Sequence, residues 1–484
     1  RLLTLVHRWL GIAVSLLFAM WFASGIVMHF VPFPALKEAD RIEGLPPIDT
    51  ARLLHGPVEA VRAAGRKDVT RVRLLQRSDG PVYLLSGASG LTAFHADDLT
   101  DAAVRSQDLA VAIAADHARR RGFTARAAFA DLADFDQWTV AGDFDRHRPL
   151  YRVALNDEPG TELYVSSVTG EVVQSTTRFE RGWNYVGSVA HWIYPVMLRS
   201  RPAVWEATVW SLSLVAMVAA IAGSLLGLFR AKVARYRLLS PYSSWHWWHH
   251  TLGLFCATFV LSWIFSGWLS MDNGLLFSTG SLNSEEKSVV ASAPAWETLS
   301  AHEKWSVSRQ AREIEWFAFD QKFYRRERTG VATQLLLPDS DDEKHPPSEF
   351  LGPREVGAFV ERLASACKAP FVVNADDDYA ITSRMPNAPV YRSVCGDVWY
   401  HIDGADGRIL ERSDPSRRAY RWLYGALHTM DVPALTSRPQ LRGALIVILC
   451  GLGFVFSVTG VIIGWRRLRL CASGRGHEEN VRHP

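Results

Sequence analysis

Apolar and polar positions along the chain separate into blocks. Four runs, Trp9–Val31, Ala207–Phe229, Thr251–Met271 and Gly443–Trp465, contain no Asp, Glu, Lys or Arg. Each reaches the roughly 20 helical residues that span a ~30 Å hydrocarbon core, so the pattern predicts four membrane-spanning helices. The first run is too long for a signal-peptide core and no small-residue cleavage site follows it, so it is read as a retained span. Between the spans the pattern is that of ordinary α+β structure. In the first intervening segment it predicts strands at Val69–Leu75 and Val82–Leu85 around a Ser78-Asp79-Gly80 turn, and a helix at Leu109–Arg121. Further strands are predicted at Trp138–Ala141, Tyr151–Leu155 and Glu162–Val165, before a Thr169-Gly170 turn. The second segment predicts a helix at Glu355–Cys367 and strands at Tyr379–Ile381, Tyr391–Val394 and Val398–Ile402, before Asp406-Gly407. Asp272–Ser300 reads as irregular.

Charge sets an orientation. Arg230, Lys232, Arg235 and Arg237 lie between spans two and three, and Arg466, Arg467 and Arg469 follow span four. Positive residues remain on the cytoplasmic side, so that loop and both termini are expected there. Trp9, Trp205, Trp245, Trp247, Trp248 and Trp465 stand where interfacial belts belong. The expected division is spans at 1–31, 203–229, 249–271 and 441–465, outside domains at 32–202 and 272–440, a basic loop at 230–248 and a tail at 466–484. The 484 residues carry 53 Lys+Arg against 50 Asp+Glu, which speaks against a nucleic-acid binder. Five cysteines exclude a disulfide-rich scaffold. Cys256 and Cys450 lie in spans and read as packing residues, and Cys471 as a cytoplasmic thiol.

The chain repeats itself. His7-Arg-Trp-Leu-Gly11 matches His249-His-Thr-Leu-Gly253, and at the same shift Trp21 meets Trp263 and Ser24-Gly25 meets Ser266-Gly267. A second block aligns His191 with His428, Ser200-Arg-Pro202 with Ser437-Arg-Pro439, Gly223 with Gly460, Gly227 with Gly464 and Arg230 with Arg467. Each half is a helix, an outside domain and a helix, and the expected axis of the internal duplication runs along the membrane normal.

The duplicated histidines carry the candidate chemistry. His7 and His249 enter spans one and three from the inner side; His191 and His428 precede spans two and four on the outer side; His29 ends span one. An ionisable group at membrane depth is costly, and paired ones at matched depths point to ligands. Zinc wants three or four protein ligands, whereas haem iron needs two, because the macrocycle supplies four nitrogens. With no C-x-x-C-H the haem would be b-type. His7 and His29 lie about 33 Å apart along a helix and cannot share an iron, so two haems are expected. The inner one would use His7 and His249, with His246 and His250 ranked behind. The outer one would use two of His191, His428 and His29, and symmetry favours the first two. Gly25, Gly267, Gly223 and Gly460 are read as permitting close approach of helices or of a porphyrin edge. His55, His95, His117, His147, His302, His345, His401, His477 and His483 show no ligand spacing.

These motifs, with the Thr-Gly-Glu and Asp-Gly-Arg endings of the outside domains, make the chain resemble the PepSY-associated transmembrane family. In that family the outer histidine is commonly followed by Thr-Gly; here Trp192 follows one and Thr429-Met430 the other. The resemblance implies PepSY-like periplasmic domains, a bacterial inner membrane location and similarity to haem-containing ferrisiderophore reductases, with electrons passing to a ferric siderophore. No G-x-G-x-x-G follows a strand, so NADH and flavin are not expected, and a quinol or a separate cytoplasmic reductase is the expected donor. The alternative is an anchored PepSY interaction or regulatory module; a transporter is disfavoured by spans without carboxylates. Cys367 and Cys395 alone lie in the outside segments, and in an oxidising periplasm they are expected to pair. Trp192, Tyr194, Arg199, Arg201 and Arg438 are candidates for chelate contact, with the role of membrane-interface anchors the favoured reading.

Overall fold

The structure, a computed structural model, describes residues 1–124, 126–233, 240–272, 274–299, 308–339 and 347–473. Arg235 and Arg237 of the basic loop, the tail beyond Ser473, and His302, His345, His477 and His483 lie outside these residues.

Among the described residues four helices are long and apolar enough to cross a membrane: α1 (Leu2–Phe30), α2 (Pro202–Val233), α3 (Ser244–Leu269) and α4 (Pro439–Ala472). A helix satisfies its own backbone, which lipid cannot do. α1 packs against α2 and α4, and α3 packs against the same two, so the helices close a ring with α1 and α3 at opposite corners. Small residues allow the close approach: Ala216 and Ala219 of α2 pack against Val14, and Gly453 of α4 lies against the Phe22 ring. With their flanking segments these helices form one compact unit, made of Arg1–Phe33, Gly182–Thr279 and the chain from Arg417 onward.

Pro34–Arg181 and Gly280–Ser416 form a second compact unit. Its first segment contributes β1 (Val69–Arg77), β2 (Gly80–Gly87), β3 (Gly90–His95), β4 (Ala128–Ala133), β5 (Leu150–Ala154), β6 (Glu162–Ser166) and β7 (Val172–Thr176). The second contributes β8 (Glu313–Phe319), β9 (Lys322–Arg328), β10 (Gln334–Pro338), β11 (Phe371–Val372), β12 (Val390–Cys395), β13 (Val398–Asp403) and β14 (Ile409–Ser413). Two four-stranded antiparallel sheets result, β4-β5-β6-β7 and β11-β12-β13-β14, each with one helix. Gln107–Arg120 lays Ala110, Ile113 and Ala114 on Val153 and Leu163, and Pro353–Leu363 lays Val356, Phe359 and Val360 on Tyr391 and Ile402.

The two outside segments do not fold apart. A six-stranded sheet runs β10-β9-β8-β1-β2-β3, and its central pairing joins β1 to β8 from Arg71↔Phe317 to Leu75↔Glu313. Four local expectations also change. Trp138–Ala141 and Tyr379–Ile381 are loops, because Asp136 and Asp377 accept the amides of Trp138 and Tyr379 and fold these aromatics inward. The helix read as Glu355–Cys367 stops at Leu363; Ala364 is extended, Ala366 takes a positive φ, and Cys367 bonds Cys395. Within Asp272–Ser300 there is a helix, Ser284–Ala291, closed by a capping box of Asn283 and Glu286.

One face of the shared sheet is ionic yet buried. Glu313 faces Arg41, Arg73 and Arg328, while Glu315 faces Arg71, Arg326 and Arg408. The turn after β6 sends Glu171 to Arg73 at 2.7 Å, and the turn after β13 sends Asp406 to Arg71 at 3.6 Å and to Arg326 at 3.4 Å. The Thr-Gly-Glu and Asp-Gly-Arg endings thus plug both small sheets into the central one.

Burial also governs pH response. His117 and His401 are 5% and 0% exposed, and burial, then the neighbouring Arg121 or Arg392 charge, holds each at about 4. His147 is likewise lowered to about 4, chiefly by burial. The unfolded chain takes up these protons below its ordinary histidine value and the folded unit does not, so stability is full at neutral pH and is lost as pH falls from about 6.5 to about 4. Thermal unfolding followed across that window is expected to show the loss, roughly 3 kcal/mol for each of His117 and His401. A transition flat from pH 7 to 4 would contradict it.

Candidate functional site

Helical rise sets two levels. His7 and Gly25 lie eighteen positions apart on α1, about 27 Å, and His249 and Gly267 repeat the interval on α3. At the first level His7 meets His249, with ring centroids 6.2 Å apart and planes inclined 32°. At the second, His191 meets His428 at 6.3 Å and 63°.

All four rings are held by Nδ1. His7 Nδ1 lies 3.1 Å from the Ala219 carbonyl, and His249 Nδ1 2.9 Å from Thr459 Oγ1. His191 Nδ1 lies 3.0 Å from Ser24 Oγ, and His428 Nδ1 3.1 Å from Ser266 Oγ. The hydroxyls are committed as donors: Ser24 to Met20 O at 2.6 Å, Ser266 to Ser262 O at 2.7 Å and Thr459 to Phe456 O at 2.6 Å. Each oxygen therefore accepts from the ring, as the Ala219 carbonyl must. Every Nδ1 carries the proton and every Nε2 keeps its lone pair, the tautomer a metal ligand requires.

The spacing fits one metal between each pair. Two metal–nitrogen bonds of about 2 Å, with each ring centre about 1 Å beyond its nitrogen, need centroids about 6 Å apart. Among the described residues no group of three or more His, Cys, Asp or Glu is placed to hold a metal ion. Two imidazoles are what haem iron takes from a protein. The donor set fits haem and does not fit zinc.

A helix glycine faces each ring. A Cβ at Gly223 would overlap His7 Cε1; at Gly267 it would lie 3.2 Å from His428 Cε1, at Gly460 3.4 Å from His249, and at Gly25 3.7 Å from His191. These glycines, read from sequence as helix or porphyrin contacts, touch the histidines themselves. Gly223→Ala is accordingly expected to displace His7 from Ala219 and perturb the first level, whereas Gly25→Ala is expected to leave the second intact. Spectra of the metal-loaded variants check this, and equal effects would contradict it. Phe456 stacks on His249 at 4.9 Å, and Phe22, Phe259 and Trp263 contact one another within the bundle.

Both histidines of the second level follow a π-helical turn, Tyr185–Val189 or Arg421–Ala426. Wide turns of this kind gather at functional sites. Two residues beyond each histidine the chain turns left-handed, at Ile193 (φ 49°) and Met430 (φ 52°). That is the position of the glycine in the expected Thr-Gly, so the departure carries a backbone cost: glycine adopts this conformation freely and Ile or Met does not. Ile193→Gly and Met430→Gly are expected to stabilise the protein by about 1 kcal/mol each, read by thermal unfolding. A lower unfolding temperature would contradict this.

The remaining candidates stand apart. His29 is exposed, edge-on to Phe30 at 5.0 Å and against Gly443. His250 is buried, its Nε2 3.0 Å from the Gly227 carbonyl, and His246 is exposed near Tyr242. Arg199 covers Tyr194 and Trp205, whose indole N–H donates to Trp192 O at 3.0 Å, an arrangement suited to an interfacial anchor. The hydroxyl anchors were not identified from sequence as such, although the repeated Ser-Gly pair carried the signal; Ala219 acts through its backbone and left none.

The profile of the family described as PepSY-associated TM region matches residues 4–467. The chain belongs to that family. No curated protein matches it at a significant level. In this PepSY-associated protein, four apolar helices and family membership together mark a multi-pass membrane protein. Its Ser-Gly motifs have a concrete use: serine accepts from one histidine of the second level while the adjacent glycine makes room for the same ring.

Proposed function

We propose that this protein carries electrons across a bacterial inner membrane between two b-type haems and reduces ferric siderophores on the periplasmic side. The observation that carries the reading is the doubled one: two imidazole pairs at the separation one metal requires, each Nδ1 anchored and each Nε2 free. His7 and His249 would hold the inner haem, and His191 and His428 the outer one. Bound haem supplies a one-electron ferric/ferrous couple. The protein's own part is to fix the imidazoles through Ala219, Thr459, Ser24 and Ser266, and to keep water from the interior with Phe22, Phe259 and Trp263. Siderophores prefer Fe(III), so one-electron reduction weakens the complex and releases Fe(II). Electrons would come from a quinol or a cytoplasmic reductase, with the basic loop and tail on that side.

The visible spectrum of the purified protein tests the reading. A Soret band with about two haems per chain, bleached and shifted by dithionite and restored by a ferric hydroxamate, is expected. A protein without haem would instead be an anchored interaction module. A haem protein that no ferric chelate reoxidises would refute the reductase assignment.

A further inference from the structure

The two halves of the bundle differ in one respect that the shared fold does not require. Four and eight residues before His428 stand Tyr424 and Tyr420, on the same side of the helical run as the histidine. Tyr424 stacks on His428, with centroids 5.6 Å apart and planes inclined 23°. Tyr420 follows at 5.3 Å and 33°, and Phe277 at 5.7 Å. The rings are fixed in place. The Tyr420 hydroxyl donates to the Leu269 carbonyl at 3.2 Å, and Asp272 accepts the amides of Leu276 and Phe277 at 2.9 Å each. Phe277 ends the series in a turn whose neighbours Leu275 and Leu276 are 71% and 61% exposed. The Arg417 guanidinium lies 4.8 Å over the Tyr420 ring.

The first half is an internal control. Four and eight residues before His191 stand Gly187 and Trp183. Gly187 leaves helical geometry (φ −88°, ψ −106°) and presses on Val27, so no ring continues from His191 there. The same fold is therefore built without the aromatic series, and packing alone does not account for it.

We propose that Tyr424 and Tyr420 form the electron exit from the His191–His428 level, a role that rests on the haem reading above. Tunnelling falls steeply with each ångström between conjugated groups, and the series replaces one long gap by short ring-to-ring steps. One electron would leave per event: ferrous haem held at the second level would be oxidised to ferric, the ferric ion of an external chelate would be reduced to ferrous, and no bond or proton would move at either tyrosine.

The test uses the purified haem-loaded full chain, reduced with dithionite and mixed with Fe(III)–EDTA in a stopped-flow spectrometer. Tyr424→Leu and Tyr420→Leu are expected to slow haem reoxidation about tenfold, Tyr424→Phe to stay within about twofold of the parent, and Trp183→Leu to change nothing. Haem content and the low-spin EPR signal should be unaltered in Tyr420→Leu, which does not touch His428; this separates a broken route from a damaged site. Parent-like rates in both Leu variants with haem in place would overturn the proposal, as would an equal slowing in Trp183→Leu. Parent protein lacking haem, or inert toward the chelate, would instead refute the underlying function.

Discussion

His428→Ala is expected to halve the haem content of the purified protein, from two per chain to one, and His29→Ala to leave both. The two histidines sit near the same end of the bundle, and helical length alone gives each a claim to the second level. Their surroundings decide between them. His428 is positioned from three directions: Ser266 takes its Nδ1 proton, Gly267 clears space for the ring and Tyr424 stacks on its face. Its partner His191 is held equivalently by Ser24 and Gly25. On the proposed ligation alanine would remove one of two protein ligands, and a lone imidazole would not restore a low-spin centre. His29 is exposed beside Phe30 and has no place in the pair. A pyridine haemochrome assay with EPR distinguishes the outcomes. Two haems retained in His428→Ala, or one lost in His29→Ala, would reverse the ligand assignment.

Glu313→Ala is expected to destabilise the sheet-bonded unit by about 3–5 kcal/mol, close to the limit for a single substitution. Glu313 is 1% exposed and lies 2.7 Å from Arg41, 3.1 Å from Arg73 and 3.5 Å from Arg328. Those charges hold its carboxyl well below the usual carboxylate range against the opposing effect of burial. Removing the carboxylate leaves three guanidinium groups sharing only Glu38 and Glu171, so the loss comes from uncompensated charge more than from the forgone bond. Acid should act in the same direction, because protonating a carboxylate whose folded value is depressed removes stability as pH falls below the carboxylate range. Chemical denaturation of the solubilised protein, followed by near-UV circular dichroism, measures the change. A shift under 1 kcal/mol would show that the ion cluster is solvated.

The strand errors share a physical origin. Trp138 and Tyr379 have the apolar character of strand residues, but an aspartate two positions earlier captures each backbone amide and makes a loop. β8 and β9 gave no apolar run because Glu313, Glu315, Arg326 and Arg328 occupy one face, and charged residues read as solvated. They are buried because Arg41, Arg71, Arg73 and Arg408 neutralise the two glutamates, and Asp406 and Glu38 the two arginines. Local pattern cannot report partners this remote in sequence. Thr459 and the Ala219 carbonyl escaped for the same reason: they matter only where another helix brings a ring against them.

Properties set by the chain's own covalent order were determined in advance of any fold. Uncharged length specifies four spans, since lipid admits only a self-satisfied helix of that length, and the repeated His, Ser-Gly and Arg-Pro motifs are properties of the letters alone. Tertiary structure decided which histidines meet, which ring nitrogen carries the proton, and that two outside segments become one sheet-bonded unit. Those outcomes depend on distances between remote residues, and such distances exist only once helices pack and strands pair.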